Sequence, residues 1–326
     1  MFKQLKLSTI IKKAAFLACA MPLVAMAQEW PNKPITFVVP FPAGGGTDAF
    51  ARPLATQLTK QLGKQIIIDN RGGAGGTLGA SIAAKAAPDG YSFFVGAAHH
   101  AIAPAMYPNL DYDIEKSFIP VAMIANPPQV IVVNPKNVQV KDLKEFIALL
   151  KKNPGKFNYA SAGNGSTHHL AGEQFKMLTK TFITHIPYRG AGPAMTDLLG
   201  GQVDMMFATA AAVAPHIASG KLRALAVTSA ERSSAMKSIP AIAETVKGYS
   251  VESWYGLFAP AGTPADVIAK LNAAAKQSTQ TVEFRRKLEP EGLAVSTGTP
   301  QELDTYVKRE EARWRKIVKE NNIKPD

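Results

Sequence analysis

Cysteine is nearly missing from this chain: its 326 residues hold one, Cys19, inside an apolar leader-like segment. The remainder can therefore form no disulfide, present no thiol nucleophile and lend no cysteine ligand to a metal. Dense charge of one sign is missing too. Lysine and arginine outnumber aspartate and glutamate by 37 to 25, but the positive residues are dispersed, and no segment shows a packed Lys/Arg face. That spread argues against a nucleic-acid partner and for a mildly cationic surface that favours small anions. The chain has no low-complexity tract and no short-period repeat.

Catalytic signatures are largely lacking. Gly73-Ala74-Gly75 would open a dinucleotide fingerprint, but Leu78 stands at the third glycine position and Gly79 follows one residue late. No Gly-Lys-Ser/Thr ends a phosphate loop. Ser161, in Tyr-Ala-Ser-Ala-Gly, lacks the first glycine of a nucleophile elbow, and Ser166 does no better. The histidines are His99-His100, His168-His169, His185 and His216. Adjacent histidines point in different directions and do not chelate as His-x-x-x-His does, so no metal site is expected.

What the chain does have begins with an expected signal peptide over 1–27: Lys3, Lys6, Lys12 and Lys13, then a mostly apolar run over 14–25, then Ala25-Met26-Ala27 as a small-x-small cleavage site. The run is too short for a membrane anchor. Removing the leader takes away four lysines and no acid, so the formal charge falls from +12 to +8 (37 − 4 = 33 against 25). The rest is long enough for one large or two ordinary domains.

Strand-like and helix-like stretches then alternate. Apolar runs over 35–39, 65–70, 91–97, 130–134, 157–160, 183–187, 203–208, 222–228 and 254–259 read as strands. Helices are expected over 77–86, 140–152, 193–199 and 212–219, and two more at the C-terminal end, one capped by Thr263 before Pro264 and one opened by a Thr299…Glu302 capping box. The last helix gathers Leu303, Tyr306, Val307, Trp314, Ile317 and Val318 on one face and must pack on a domain. Such alternation predicts α/β lobes with mainly parallel sheets, whose ligands sit at the carboxyl ends of strands.

Glycine-rich loops fall at those ends. Pro40 to Asp48 joins the first strand to a helix with Phe50, Leu54, Leu58 and Leu62 at four-residue spacing, with Thr47 or Asp48 available to cap it. Either this is an anion cradle built from bare N–H groups and a helix dipole, or it is merely a tight turn. Arg71 to Gly76 and Ser161 to Thr167 are of the same kind. For His99 and His168 two roles compete, packed side chain or pocket donor; their places beside such loops favour the second. His100 and His169 read as packed. A helix start contributes roughly 0.3–1 kcal/mol toward an anion, whereas micromolar binding needs about −8. Loops from two facing lobes are therefore required.

In combination, Trp30-Pro31, Pro40 to Asp48, Asn70-Arg71 to Gly76, Pro88-Asp89-Gly90-Tyr91, Tyr159 to His168, His185 to Gly190, Gly220 to Val227 and Trp254 to Pro264 resemble the extracytoplasmic solute-binding receptors of tripartite tricarboxylate transporters, the Bug family. The resemblance implies a two-lobed, type II periplasmic-binding-protein fold, with lobe 1 over 28–127 plus 250–326 and lobe 2 over 128–249. It implies a periplasmic receptor, not an enzyme, that acts as a monomer without a cofactor, closes on a di-, tri- or aromatic carboxylate and delivers it to membrane permease subunits. One carboxylate would lie on the loop of Phe41, Ala43, Gly44, Gly45 and Asp48. The opposite lobe would supply Ser161, Gly163, Gly165, Ser166 and Thr167. Where many relatives carry Asp or Asn, Ala208-Thr209 stands here, which implies a bulkier or less polar acid, with His99 donating to its far end. Two other functions remain open: an exported hydrolase or transferase using Ser161, and a ligand sensor for a two-component kinase.

Overall fold

The computed structural model describes residues 29–233, 236–288, 297–320 and 323; the expected signal peptide and Cys19 lie outside the described residues. From the first strand, Ile35–Val39 (β1), the chain enters helix Gly46–Leu62 (α1), strand Ile66–Asn70 (β2), helix Thr77–Ala84 (α2), strand Ser92–Ala97 (β3), helix Ala98–Met106 (α3) and strand Phe118–Ala125 (β4). A second run follows: Gln129–Val133 (β5), Leu143–Lys152 (α4), Asn158–Ser161 (β6), Thr167–Thr179 (α5), Thr184–Pro187 (β7), Ala191–Gly200 (α6), Met205–Thr209 (β8), Ala210–Ala218 (α7) and Arg223–Val227 (β9). The chain ends with Tyr255–Pro260 (β10), Ala265–Gln280 (α8), Val282–Leu288 (α9) and Pro300–Glu320 (α10). Among the described residues no helix is long and apolar enough to cross a membrane.

The strands form two five-stranded sheets, ordered β2-β1-β3-β10-β4 and β7-β6-β8-β5-β9. Both are mixed. β1 pairs in parallel with β2 and β3, while β10 runs against both of its neighbours. In the second sheet β6 pairs in parallel with β7 and β8, and β5 is the reversed strand. The chain thus passes from the first sheet to the second after β4 and returns to insert β10 between β3 and β4. Parallel neighbours require long crossovers, and α1, α2, α5 and α6 supply them.

Apolar side chains cover both faces of each sheet. On the first, Phe37, Phe50, Leu54, Leu257 and Leu271 share one core while Val38, Phe94, Trp254 and Phe258 share another. The final helix is split between lobes: Leu303 and Val307 lie with the first sheet, and Trp314 and Val318 lie in the core of the second beside Ile102 and Met106 of α3. Side-chain packing therefore crosses the expected boundary at residue 250, whatever the strands do.

Helix starts differ from the sequence reading in informative ways. Neither Thr47 nor Asp48 caps α1; Gly45 holds the cap position with no side-chain bond. Thr263 does not cap α8 either, because its hydroxyl donates back to the Pro260 carbonyl at 2.8 Å. α4 starts later than expected, where the Asp142 side chain accepts the Glu145 N–H at 2.8 Å. The capping box of α10 is present, with Thr299 N–H donating to Glu302 at 2.7 Å and Glu302 N–H to Thr299 Oγ1 at 3.2 Å.

Candidate functional site

Between the two sheets lies a cavity of about 140 Å³. Five helices among the described residues begin at its wall: α1 at Gly46 and α3 at Ala98 from the first sheet, α5 at Thr167, α6 at Ala191 and α7 at Ala210 from the second. Each start carries uncommitted N–H groups and the positive end of a helix dipole.

Of the residues expected at the site, Phe41, Ala43, Gly44, Gly45, His99, Ser166, Thr167, His168 and Thr209 line this cavity together. Asp48, Ser161, Gly163, Gly165 and Ala208 do not. Asp48 is buried beneath the first loop, where it accepts Gly44 N–H at 2.8 Å, Arg52 Nε at 2.7 Å and Asn70 Nδ2 at 3.0 Å. Burial pushes its carboxyl up, and these donors, led by Arg52, more than offset that and hold it below the usual range. It braces the loop and leaves the N–H groups of Gly46 and Thr47 bare. Ala208 is packed in the second core among Val130, Ala160 and Met206.

Ser161 is fully buried, and its Oγ lies 2.7 Å from His185 Nε2. That pair has the distance of a nucleophile and its base. Yet the same oxygen also accepts Gly163 N–H at 3.0 Å and faces the Gly163 carbonyl at 3.2 Å, so it is engaged on all sides and away from the cavity. His185 stacks on His169 at 4.1 Å, and His169 Nδ1 accepts Gly165 N–H at 3.2 Å. Two stacked imidazoles thereby hold the second loop from below, and Gly163 and Gly165 shape it. Ser166 caps α5 through His169 N–H at 3.3 Å.

Two lining histidines stay neutral. Burial depresses the His168 imidazole to about 4, and burial, helped by the neighbouring His100, depresses His99 well below the usual value. His99 sits edge-on to Phe41 at 4.6 Å, and its Nε2 is pressed toward Gly76, where an added Cβ would come within 2.5 Å. Neither His99 Nε2 nor His168 Nδ1 has a hydrogen-bond partner. Buried polar atoms of this kind are expected to be satisfied by something. His100 packs edge-on to Phe94 at 4.5 Å and accepts Ala97 N–H at 3.0 Å through Nδ1, its Nε2 also being without a partner.

The sequence reading left several lining residues unassigned: Arg189, Gly190, Ala191, Gly192 and Pro193 at the α6 start, together with Ala97, Ser253 and Tyr255. Gly190 caps α6 at φ 113° with no side-chain bond, so this turn repeats the design of the first loop, and its glycine before a helix was the available signal. Tyr255 has no local signal. It arrives on β10, stacks on Phe50 at 4.6 Å and places its hydroxyl under the α1 start, where a Cβ on Gly46 would come within 2.7 Å. Among the described residues no carboxylate lines the cavity, and no three His, Cys, Asp or Glu side chains gather as metal ligands.

A sequence profile of tripartite tricarboxylate transporter family receptors matches residues 50–323. Protein BugT of Bordetella pertussis is 36% identical over 301 residues, covering 91% of this chain and 92% of its own. An R. palustris protein solved with adipate superposes with a TM-score of 0.86 at 36% identity, over 90% of this chain and 99% of that one. MatC from Rhodopseudomonas palustris, solved with malate, gives a TM-score of 0.82 at 36% identity, over 89% and 100%. Two lobes of matching architecture and a sequence match across nearly the whole described chain place this protein in the tripartite tricarboxylate transporter receptor family, the Bug receptors, whose members are periplasmic solute receptors.

Proposed function

We propose that this chain is an exported periplasmic receptor that captures an organic carboxylate in the interlobe cavity and hands it to the permease subunits of a tripartite transporter. The observation that carries the reading is the convergence of five helix starts on a cavity lined, among the described residues, by no carboxylate. Donors and dipoles of that arrangement favour an anion. Adipate and malate in the related structures agree with a small di-acid.

Under this reading residues 1–27 direct export, the mature chain works as a monomer without a cofactor, and lobe 1 (28–127 and 250–326) closes on lobe 2 (128–249). The ligand-contacting set is Phe41, Ala43, Gly44, Gly45, His99, Ser166, Thr167, His168 and Thr209. Asp48, Ser161, Gly163, Gly165 and Ala208 act by holding the loops in place. Hydrolysis by Ser161 is disfavoured because its oxygen is buried and engaged. Thermal-shift measurements on the mature protein with di-, tri- and aromatic carboxylates test the proposal: a rise of several degrees with at least one acid is expected, and a flat response across the panel would sink it. Pull-down of membrane partners separates transport from signalling to a kinase.

A further inference from the structure

Lysines that the sequence separates are gathered by the fold at one end of the second sheet. Lys151 and Lys152 close α4, Lys156 follows in the next turn, and Lys180 ends α5. All four are exposed, and none meets a carboxylate among the described residues. The two segments are tied together: Gly155 N–H donates to the Phe182 carbonyl at 3.0 Å, and the Phe182 ring lies where a Cβ on Gly155 would come within 3.1 Å. Phe182 is itself 59% exposed, with Lys176 Nζ 5.8 Å from its ring centroid. Two acids border this surface, and both are engaged. Glu173 is held by Lys176 and the Tyr159 hydroxyl, each at 2.7 Å, and Asp204 by Asn158 N–H at 2.9 Å and Asn137 Nδ2 at 3.0 Å.

Helix ends account for part of this. Cations favour a helix C-terminus, which explains Lys151 and Lys152. That does not explain Lys180, which holds the left-handed cap of α5 at φ 53°, a conformation that glycine takes without strain and a β-carbon makes unfavourable. Nor does it place the Phe182 ring in water.

Two features select the partner. The cations are all lysines, with no arginine between residues 151 and 184, so the surface offers mobile point charges instead of the planar forks that grip single carboxylates. An aromatic ring stands among them, a combination that suits an anionic lipid interface, with the ring at the acyl boundary and the ammonium groups at the phosphates. The parallel strands β6, β7 and β8 begin at this end and finish at the cavity, so a membrane held here leaves the cavity free.

We propose that the lysine surface around Phe182 docks this protein on an anionic lipid membrane by the end of lobe 2 remote from the cavity. The contact is distinct from ligand capture and independent of the carboxylate reading.

Co-sedimentation with lipid vesicles tests it. The mature protein should partition onto vesicles of equal parts phosphatidylglycerol and phosphatidylcholine, not onto phosphatidylcholine alone, and should be released as salt rises. Each lysine near such a surface raises the partition about fivefold, so Lys151→Gln, Lys152→Gln and Lys156→Gln combined should lower it about a hundredfold. A charge-matched triple variant on the first lobe, Lys64→Gln, Lys276→Gln and Lys287→Gln, should stay within about threefold of wild type, because distant charges are screened. Lys180→Gly should weaken vesicle binding about fivefold while raising the thermal midpoint, a split that a purely structural lysine would not give. Absence of wild-type binding to the anionic vesicles overturns the inference, and so does an equal loss in the two triple variants, which would reflect net charge alone. Tighter binding to polyglutamate than to the vesicles would assign the surface to an acidic protein and overturn the membrane inference as well.

Discussion

The Tyr107 hydroxyl, at the end of α3 on the first lobe, donates to the main-chain carbonyl of Asn164 on the second at 3.1 Å. The same carbonyl lies where a Cβ on Gly75 would come within 2.7 Å, and Gly75 holds φ 63°. Two first-lobe segments thus clasp the loop that opens α5, and no ligand atom is part of the clasp. Replacing Gly75 by Ala adds a methyl at the contact and strains the left-handed backbone. Gly75→Ala should hold the lobes ajar, with a larger radius of gyration at saturating ligand and affinity lowered about tenfold. Tyr107→Phe removes one hydrogen bond of about 1 kcal/mol, or roughly fivefold in affinity, mostly through faster release. Scattering curves and dissociation rates identical to wild type for both variants would show that the clasp plays no part in closure.

Asp48 illustrates how a loop residue matters without touching the cavity. Its carboxylate joins Gly44, Arg52 and Asn70, and Asn70 in turn donates to the Phe41 carbonyl at 2.9 Å. Asp48→Asn should cost about 1.5–3 kcal/mol, the range for bonds to a charged group. The folded pKa is lowered, so the stabilisation is complete above the unfolded value near 3.9 and is lost as pH falls through the folded one. Urea denaturation of wild type and variant should therefore show a gap at neutral pH that closes in acid; a gap that persists there would mean the effect is steric.

His168 predicts a loss in the same direction, as pH falls, but in a higher window. Burial lowers its folded pKa to about 4, against 6.5 unfolded. The unfolded chain binds the extra proton between those values, so this residue favours folding fully only above about 6.5 and erodes it as pH falls toward 4. The full loss is on the order of 3 kcal/mol. His168→Gln should flatten the stability profile between pH 4 and 6.5 relative to wild type, measured by denaturation midpoints at fixed salt.

Much of the architecture was readable because the signals were local. Phe50, Leu54 and Leu58 recur at helical spacing and all are fully buried, and the Thr299…Glu302 box closes as its spacing requires. Two elements between residues 98 and 125 gave no such signal. α3 is built largely of alanine with Pro104 inside, and it is buried nearly all round, so no face stands out. β4 contains Pro120, which argues against a strand unless it lies at an edge, and β4 is the edge. At the site, glycine-rich loops announced Phe41 to Gly45 and Ser166 to His168. What could not be read was which loop residues face inward: Ser161 looked like a donor and turned to His185, while Tyr255 came in from a distant strand. Orientation depends on tertiary partners that no local pattern encodes.

The last helix makes a prediction about cooperativity. Trp314 is fully buried in the core of the second sheet, while Leu303 and Val307 of the same helix pack on the first. Truncating a buried tryptophan to alanine costs about 3–5 kcal/mol through lost contacts and the cavity left behind. Its indole N–H has no partner, so Trp314→Phe keeps most of the packing and gives up no hydrogen bond; it should cost less than about 2 kcal/mol. Because one rigid helix spans both cores, Trp314→Ala should lower a single unfolding transition rather than split it. Calorimetry resolving two separate endotherms for Trp314→Ala, with the higher one unmoved, would mean that the lobes unfold independently and that α10 does not couple them.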